Sequence, residues 1–209
     1  MGRKISRSII IGGCLTCFGL IFLLINYNKI TQEIVTHHER QRRLIVEQTS
    51  VALREYFSHY EKDLVFLSAH RRVIFTTSDM GMLLERYYRA NEGHIFAVTR
   101  IDAAGHITGT FPVRKDILGT DVSGQPHNKR ILRDKKPVIS DVFETVQGYQ
   151  AVAYAYPVFH GEEFTGCLTV LIPFESIARR FFEPIGESGE GYPWVISEGG
   201  YVIYHPAKE

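Results

Sequence analysis

GTDVSGQPHNKRILRDKKPVISDVFETVQGYQAVAYAYPVFHGEEFTGCLTVLIP, residues 119–173, carries most of what this chain says about its own fold. Pro126 stands just inside a helix start, with Asp121 and Ser123 before it as cap candidates. Lys136-Pro137 ends that helix and releases the chain into extended backbone. Three runs then follow, residues 138–146, 149–159 and 164–172, separated by Gln147-Gly148 and His160-Gly161-Glu162-Glu163. Both separators are hairpin signals, so the stretch reads as a helix over 126–134 and three antiparallel strands.

The hairpin around Gly148 can be phased from period two alone. An even-length turn puts Ile139, Asp141 and Phe143 on the same face as Val152, Tyr154 and Tyr156. The opposite face then carries Val138, Ser140 and Val142 beside Ala151, Ala153 and Ala155. That face is flat and small, suited to a helix laid across it. Two readings of the Tyr face stay open: ordinary core with hydroxyls at its rim, or the wall of a small-molecule pocket roofed by helix 126–134.

Across all 209 residues the chain is 44% hydrophobic and 22% charged, an ordinary globular composition. A net charge of +1 gives no electrostatic case for a nucleic-acid partner. The three cysteines make no disulfide framework, since Cys14 and Cys17 lie in an apolar N-terminal run and Cys167 lies alone in a strand. No Gly-rich phosphate loop, Gly-x-Ser-x-Gly elbow or metal-spaced His/Cys cluster occurs, so no enzyme and no cofactor is expected. Adjacent His37 and His38 point about 100° apart on a helix and read as a solvated face rather than as metal ligands.

Residues 9–25 contain no charge and follow Arg3, Lys4 and Arg7. The run lies at the short end of the roughly 17–25 residues that span a bilayer. It predicts an uncleaved anchor with a cytoplasmic N-terminus and everything after Asn26 outside. From Asn28 to Phe75 there is neither Gly nor Pro, which predicts one long stalk helix. Its stripe of Ile30, Ile34, Leu44, Ile45, Val51, Ala52, Tyr56, Tyr60, Leu64 and Leu67 packs distally on a sheet and proximally on a second copy. Asp79 is placed to cap a second helix through Asn91, and Gly93 stops it. A hairpin over 95–101 and 106–111 turns at Asp102-Ala103-Ala104-Gly105. The sum is an α+β fold: a five-stranded antiparallel sheet with helices on both faces.

The order of these features resembles the Cache family of extracytoplasmic, PAS-like sensor domains. The residues that carry the likeness are Leu64-Val65-Phe66-Leu67-Ser68, Asp102 with Gly105, Gly119-Thr120-Asp121-Val122-Ser123, Pro126, Pro137, Ser140-Asp141-Val142-Phe143, Gly148, Tyr156-Pro157-Val158 and Gly166. Residues 186–191, the runs 192–197 and 201–204, and His205-Pro206 resemble the opening of a second module, as in double-Cache sensors. The resemblance implies four segments: a cytoplasmic stub and transmembrane helix (1–27), a stalk and short helix (28–92), a membrane-distal module (93–183) and an incomplete second module (184–209). Any kinase or cyclase output is expected beyond Glu209.

The implied function is signal input at the inner membrane of a bacterium, by a sensor histidine kinase, chemoreceptor or diguanylate cyclase. The implied partners are a small-molecule ligand, the membrane and a second copy through the stalk. Carried onto this sequence, the ligand lies between sheet and crossing helix, against Phe111, His127, Arg130, Asp141, Phe143, Tyr154 and Tyr156. Arg130 is suited to clamping a carboxylate or phosphate and Asp141 to meeting an amine. The amino-acid-binding branch has an Arg-x-aromatic-aromatic pattern on the helix and an Asp on the last strand. This chain has Gln125, His127 and Asn128 there, and Leu171. Amino-acid binding is therefore not among the expectations. The alternative to sensing is a dimerising structural module that binds nothing small.

Overall fold

The structure is a computed structural model that describes residues 2–145, 149–187, 193–196, 200 and 202–205, with side chains from Phe18 onward. The chain divides into two units, residues 1–48 and 49–209. The first is helix throughout its described length, the beginning of α1 (Gly2–Ser68). Absence of Gly and Pro from Asn28 onward lets α1 run on, and Thr31 and Thr36 turn their hydroxyls back onto carbonyls within the helix. Among the described residues no helix is long and apolar enough to cross a membrane. Half of the run 9–25 that sequence reading marks as a span has its side chains outside those described.

In the second unit α1 ends at Ser68, short of the expected Phe75, and a single turn, α2 (Arg71–Ile74), follows under the His70 imidazole, whose Nδ1 accepts from the Arg72 N–H at 3.2 Å. Helix α3 (Met80–Ala90) begins after Asp79, as expected, but the carboxylate does not cap it. Asp79 instead accepts from the Thr77 hydroxyl at 2.6 Å and pairs with Arg72 at 2.7 Å, which ties the α2–α3 corner.

Strands β1 (Ala97–Asp102) and β2 (Ile107–Phe111) form the first hairpin. Asp102 Oδ1 accepts from the N–H groups of Ala104 and His106, so the turn is held by its own side chain. After α4 (Pro126–Asp134) come β3 (Val138–Ile139), β4 (Phe143–Glu144), β5 (Gln150–His160) and β6 (Glu163–Pro173). The sheet order is β2-β1-β6-β5-β3, all antiparallel, with β4 also on β5. The single third strand expected over 138–146 is thus two short pieces, and its Gln147-Gly148 turn lies outside the described residues. At the opposite edge, the loop 117–122 closes on β2 through Ile107 N–H to Thr120 and Gly119 N–H to Ile107.

Two rungs across this sheet explain its layers. Phe111, Val98, Val170, Tyr154 and Ile139 are successive cross-strand partners, and on their face lie the buried Tyr60, Leu64, Leu67, Val73, Leu84 and Ile177. Those come from α1, α2, α3 and α5 (Phe174–Phe181). The next rung is Thr110, Thr99, Thr169, Ala155 and Val138, and α4 covers that face through Ile131. Large side chains fill one side at no cost in shape, while the small rung lets a helix approach. The expected three-layer α+β arrangement with helices on both faces is therefore present.

One phasing is corrected. Ile139 pairs with Tyr154, but Phe143 pairs with Ala151: the edge strand advances four residues where β5 advances three. The Ser140 hydroxyl enters the ladder, accepting from Ala153 N–H at 2.8 Å and donating to the Asp141 carbonyl at 2.6 Å, and the extra residue is absorbed there. Phe143 is consequently on the alanine face, not with Tyr154 and Tyr156.

Beyond β6, α5 and α6 (Glu183–Glu187) lead to a two-stranded sheet, β7 (Val195–Ile196) and β8 (Val202–Tyr204). Too small to hold itself, it leans on the core through Tyr204, 5.4 Å from the Phe182 ring, and Ile203. Of the expected glycine loop 186–191 and turn 198–200, residues 188–191 and 198–199 lie outside the described residues, as does Pro206.

Arg100 binds the layers together. It is 1% exposed, donates to the Val73 carbonyl at 3.0 Å, to the Thr165 carbonyl and hydroxyl at 2.9 and 3.0 Å, and to Ile101 O. Burial holds its pKa below the usual arginine value. Gly166, with φ +125°, lies under this guanidinium, where a Cβ would strike the Ile101 carbonyl. Gly166→Ala is expected to cost about 3 kcal/mol in urea unfolding, since backbone blocks the new methyl. Gly161→Ala, at φ +62° in open space, is expected to lose only about 1 kcal/mol. Equal losses in the two variants would remove this account.

Candidate ligand pocket

Between α4 and the small rung lies a cavity of about 170 Å³. Its floor is Ala97, Thr99 and Ile101 of β1, Thr169 and Leu171 of β6, and Ile107 and Thr110 of β2. The floor is lowest at its centre, where alternation sends Ala97, Thr99 and Thr169 to this side and Val98, Leu168 and Val170 to the other. Its roof is His127 and Asn128 of α4 with Gln125, Val122 and Ile117 from the preceding loop. Phe96, Phe143, Thr145 and Tyr149 close one end, and Pro112 and Arg114 flank another.

The roof helix starts at Pro126, which presets φ for the first turn, and stops at Lys135 in the left-handed conformation, φ 51°. Asp121 does not cap it: its Oδ1 accepts from Ser123 N–H at 2.8 Å, shaping the approach to the helix. His127, Asn128 and Ile131 share the inward stripe.

His127 is 5% exposed, its ring 4.9 Å from that of Phe143 and tilted by 36°. Burial pushes its pKa down to about 4, so the imidazole is neutral at pH 7. Asn128 is 1% exposed; its Nδ2 donates to the Val122 carbonyl at 3.0 Å and to Gln125 Oε1 at 3.1 Å. Its Oδ1 has no hydrogen-bond partner among the described residues. On the floor, the Thr99 and Thr110 hydroxyls are 3.0 Å apart. Arg114 is engaged by Asp116 through two bonds, Nε to Oδ1 at 2.9 Å and an Nη to Oδ2 at 2.7 Å. Beside Thr169 on the α4 face, burial raises the Cys167 thiol to about 11, which leaves it protonated and inert. Among the described residues no group of His, Cys, Asp or Glu is placed to hold a metal ion.

Of the seven residues expected around a ligand, the cavity brings together His127 and Phe143. Phe111, Tyr154 and Tyr156 are on the opposite face: Phe111 packs on Tyr88 at 5.2 Å and Tyr154 on Phe57 at 6.4 Å, with Tyr156 against the same core. Arg130 and Asp141 are exposed. Of the two readings of the Tyr face, core holds, and the helix roofs the alanine face instead. The floor threonines, Asn128, Phe96 and Tyr149 went unread from sequence. Extending the Ala151-Ala153-Ala155 phase to the neighbouring strands would have found Thr169 and Thr99.

A family profile described as HK/GC/Chemotaxis protein-like, sensor domain, matches residues 67–173. The chain belongs to this family of sensor domains, and the Cache-like resemblance is borne out. No curated protein matches it significantly. Among solved structures it is similar to an extracellular ligand binding receptor from Desulfohalobium retbaense, with a TM-score of 0.65 at 22% identity, over 78% of this chain and 30% of that one. It is also similar to the ligand-binding domain of the Pseudomonas fluorescens chemoreceptor CtaA in complex with L-serine, with a TM-score of 0.63 at 16% identity, over 77% of this chain and 69% of that one. A third is the ligand-binding domain of the Pseudomonas aeruginosa amino acid chemoreceptor PctC in complex with GABA, with a TM-score of 0.60 at 17% identity, over 76% and 71%. The chain thus spans under a third of the first of these. At such identities the likeness establishes the fold.

The depressed pKa of His127 has a stability consequence with a definite sign. The unfolded chain takes up the proton near the ordinary value of 6.5 and the folded chain near 4, so stability is full above 6.5 and falls as pH drops through that window. The loss attributable to His127 reaches about 3 kcal/mol at pH 4. Urea unfolding from pH 7.5 to 4 is expected to show a shallower decline in His127→Leu than in the wild type; parallel curves would refute the assignment.

Proposed function

We propose that this chain is the membrane-anchored, extracytoplasmic input domain of a bacterial receptor, such as a histidine kinase, chemoreceptor or diguanylate cyclase. A small molecule bound between α4 and the sheet is its signal. The observation that carries this reading is the cavity beneath α4: a family of sensor domains supplies the role, and the cavity supplies room and polar groups for a ligand. His127 and Phe143 remain ligand residues in this reading, joined by Asn128, Thr99, Thr110, Thr169 and Tyr149.

The remaining segments are assigned with the same intent. Residues 1–27 form the cytoplasmic stub and span, on the strength of the uncharged run 9–25 behind Arg3, Lys4 and Arg7. Residues 28–92 are the stalk and short helix, 93–183 the sensing module and 184–209 the start of a second one. Ile30, Ile34, Leu44 and Val51, all exposed on α1, are the seam for a second copy. Binding acts by population shift: a ligand that prefers one placement of α4 on the sheet favours the matching arrangement of the helix ends.

Two measurements test the proposal. An alkaline phosphatase fused after residue 209 is expected to be active in cells, and activity of a cytosolic reporter only would overturn the topology. A thermal-shift screen of organic acids, amines and purines is expected to find a compound that raises Tm by roughly 5–10 °C at a hundredfold excess over Kd. Ala97→Phe, which fills the cavity from its floor, is expected to abolish that shift. A shift that survives Ala97→Phe places the ligand elsewhere.

A further inference from the structure

We infer that the ligand of this cavity is a small organic monoanion, a carboxylate on an apolar body, held at the rim by the free edge of the Arg114 guanidinium. The inference rests on the reading of the cavity as the ligand site, and it deepens that reading by naming the chemical class the site selects.

The cavity is graded from its interior to its rim. Inside, Ile101 and Ile107 are buried apolar side chains, and the polar groups beside them are already engaged. The Thr99 and Thr110 hydroxyls bond each other at 3.0 Å, and both hydrogens of the Asn128 amide go to Val122 and Gln125. His127 is uncharged because it is buried. Such an interior receives a hydrocarbon body better than a charged group. The rim meets water: Pro112 is exposed, and the Arg114 side chain is 43% exposed.

The sign of the charge follows from the lining. Arg114 is the one permanent charge on it, and no Asp, Glu or Lys lines the cavity among the described residues. An ammonium group would leave water beside a cation and find no carboxylate on the walls to receive it. Simple amines and zwitterions are disfavoured together.

The geometry of the guanidinium leaves room for an anion. Its planar fork has two edges that each present a pair of parallel N–H bonds. Asp116 takes one: Nε donates to Oδ1 at 2.9 Å and Nη2 to Oδ2 at 2.7 Å. The other edge, Nη1 with the second hydrogen of Nη2, meets no acceptor among the described residues. A carboxylate can dock there with two bonds while Asp116 stays in place and pins the group. Each anion is then closer to the cation than to the other anion, and both keep water, so attraction outweighs their mutual repulsion. Exposed Lys115 adds a second positive charge, which leaves the segment 114–116 with two cations and one anion. A second carboxylate on the ligand would find no second cation on the lining, which makes the preferred ligand a monoanion.

The test uses the full chain in lipid nanodiscs at pH 7.5, with affinities from thermal-shift titration of five probes that share a four-carbon skeleton. They are butyrate, a monoanion; succinate, a dianion; 1-butanol, uncharged; butylamine, a cation; and L-2-aminobutyrate, a zwitterion. Butyrate is expected to bind about tenfold more tightly than 1-butanol or succinate, with butylamine and L-2-aminobutyrate producing no shift. Arg114→Gln is expected to bring butyrate down to the level of 1-butanol while the ligand-free Tm stays in place, which reports an intact fold. Arg114→Lys keeps the charge without the fork and is expected to recover only part of that loss. The wild-type ranking decides the class without any variant. Equal affinity for butyrate and 1-butanol, or butyrate binding untouched by Arg114→Gln, overturns the contact. Tighter binding of succinate, butylamine or L-2-aminobutyrate that Ala97→Phe abolishes overturns the monoanion class and leaves the ligand site standing. No binding by any probe, or binding indifferent to Ala97→Phe, overturns this inference together with the site on which it rests.

Discussion

Every layer of the sensing unit depends on the strict alternation of two rungs across five antiparallel strands. On one side Phe111, Val98, Val170 and Tyr154 demand burial under helices; one residue along, Thr110, Thr99, Thr169 and Ala155 leave a shallow trough. Because side-chain period in a strand is two, a register slip of one residue would exchange the two faces outright. The core beneath α1, α3 and α5 is thus also what keeps the trough a trough: it penalises any slip that would bring large residues under α4.

Register in turn is secured at a few points. Arg100 reaches from the middle of β1 to α2 and to Thr165 near the start of β6, so three elements share one guanidinium. Gly166 makes room for it at the residue paired with Asp102. Asp102 closes that same end of β1 on its own turn. Among the described residues the cation pairs with no carboxylate and is met by carbonyls and the Thr165 hydroxyl, an arrangement that specifies geometry more than it adds stability.

Much of this was legible beforehand. Pro126 and Lys136-Pro137 bracket α4, the Ala151-Ala153-Ala155 phase separates the faces of β5, and the Gly-free run predicts α1. The pocket was not, for two physical reasons. The added residue near Ser140 leaves no mark on the hydrophobic pattern, because a hydroxyl can stand in for a backbone group in the ladder, and this alone moved Phe143 to the other face. The floor is assembled from the first hairpin and from β6, far along the chain, so no local window contains it; only the pairing of Thr99 with both Thr110 and Thr169 does. Aromatic side chains suit a core as well as a pocket wall, and Phe111, Tyr154 and Tyr156 fill the core, where large apolar area counts for most.

The interrupted edge formed by β3 and β4 bears on self-association. Unpaired strand edges are templates for runaway polymerisation, and this one is two short pieces broken by an added residue, with Pro137 at its entry. The far margin is sealed by the loop that closes on Ile107. Neither border presents a long, straight, unpaired strand among the described residues, so strand-to-strand addition of another copy is disfavoured on both sides.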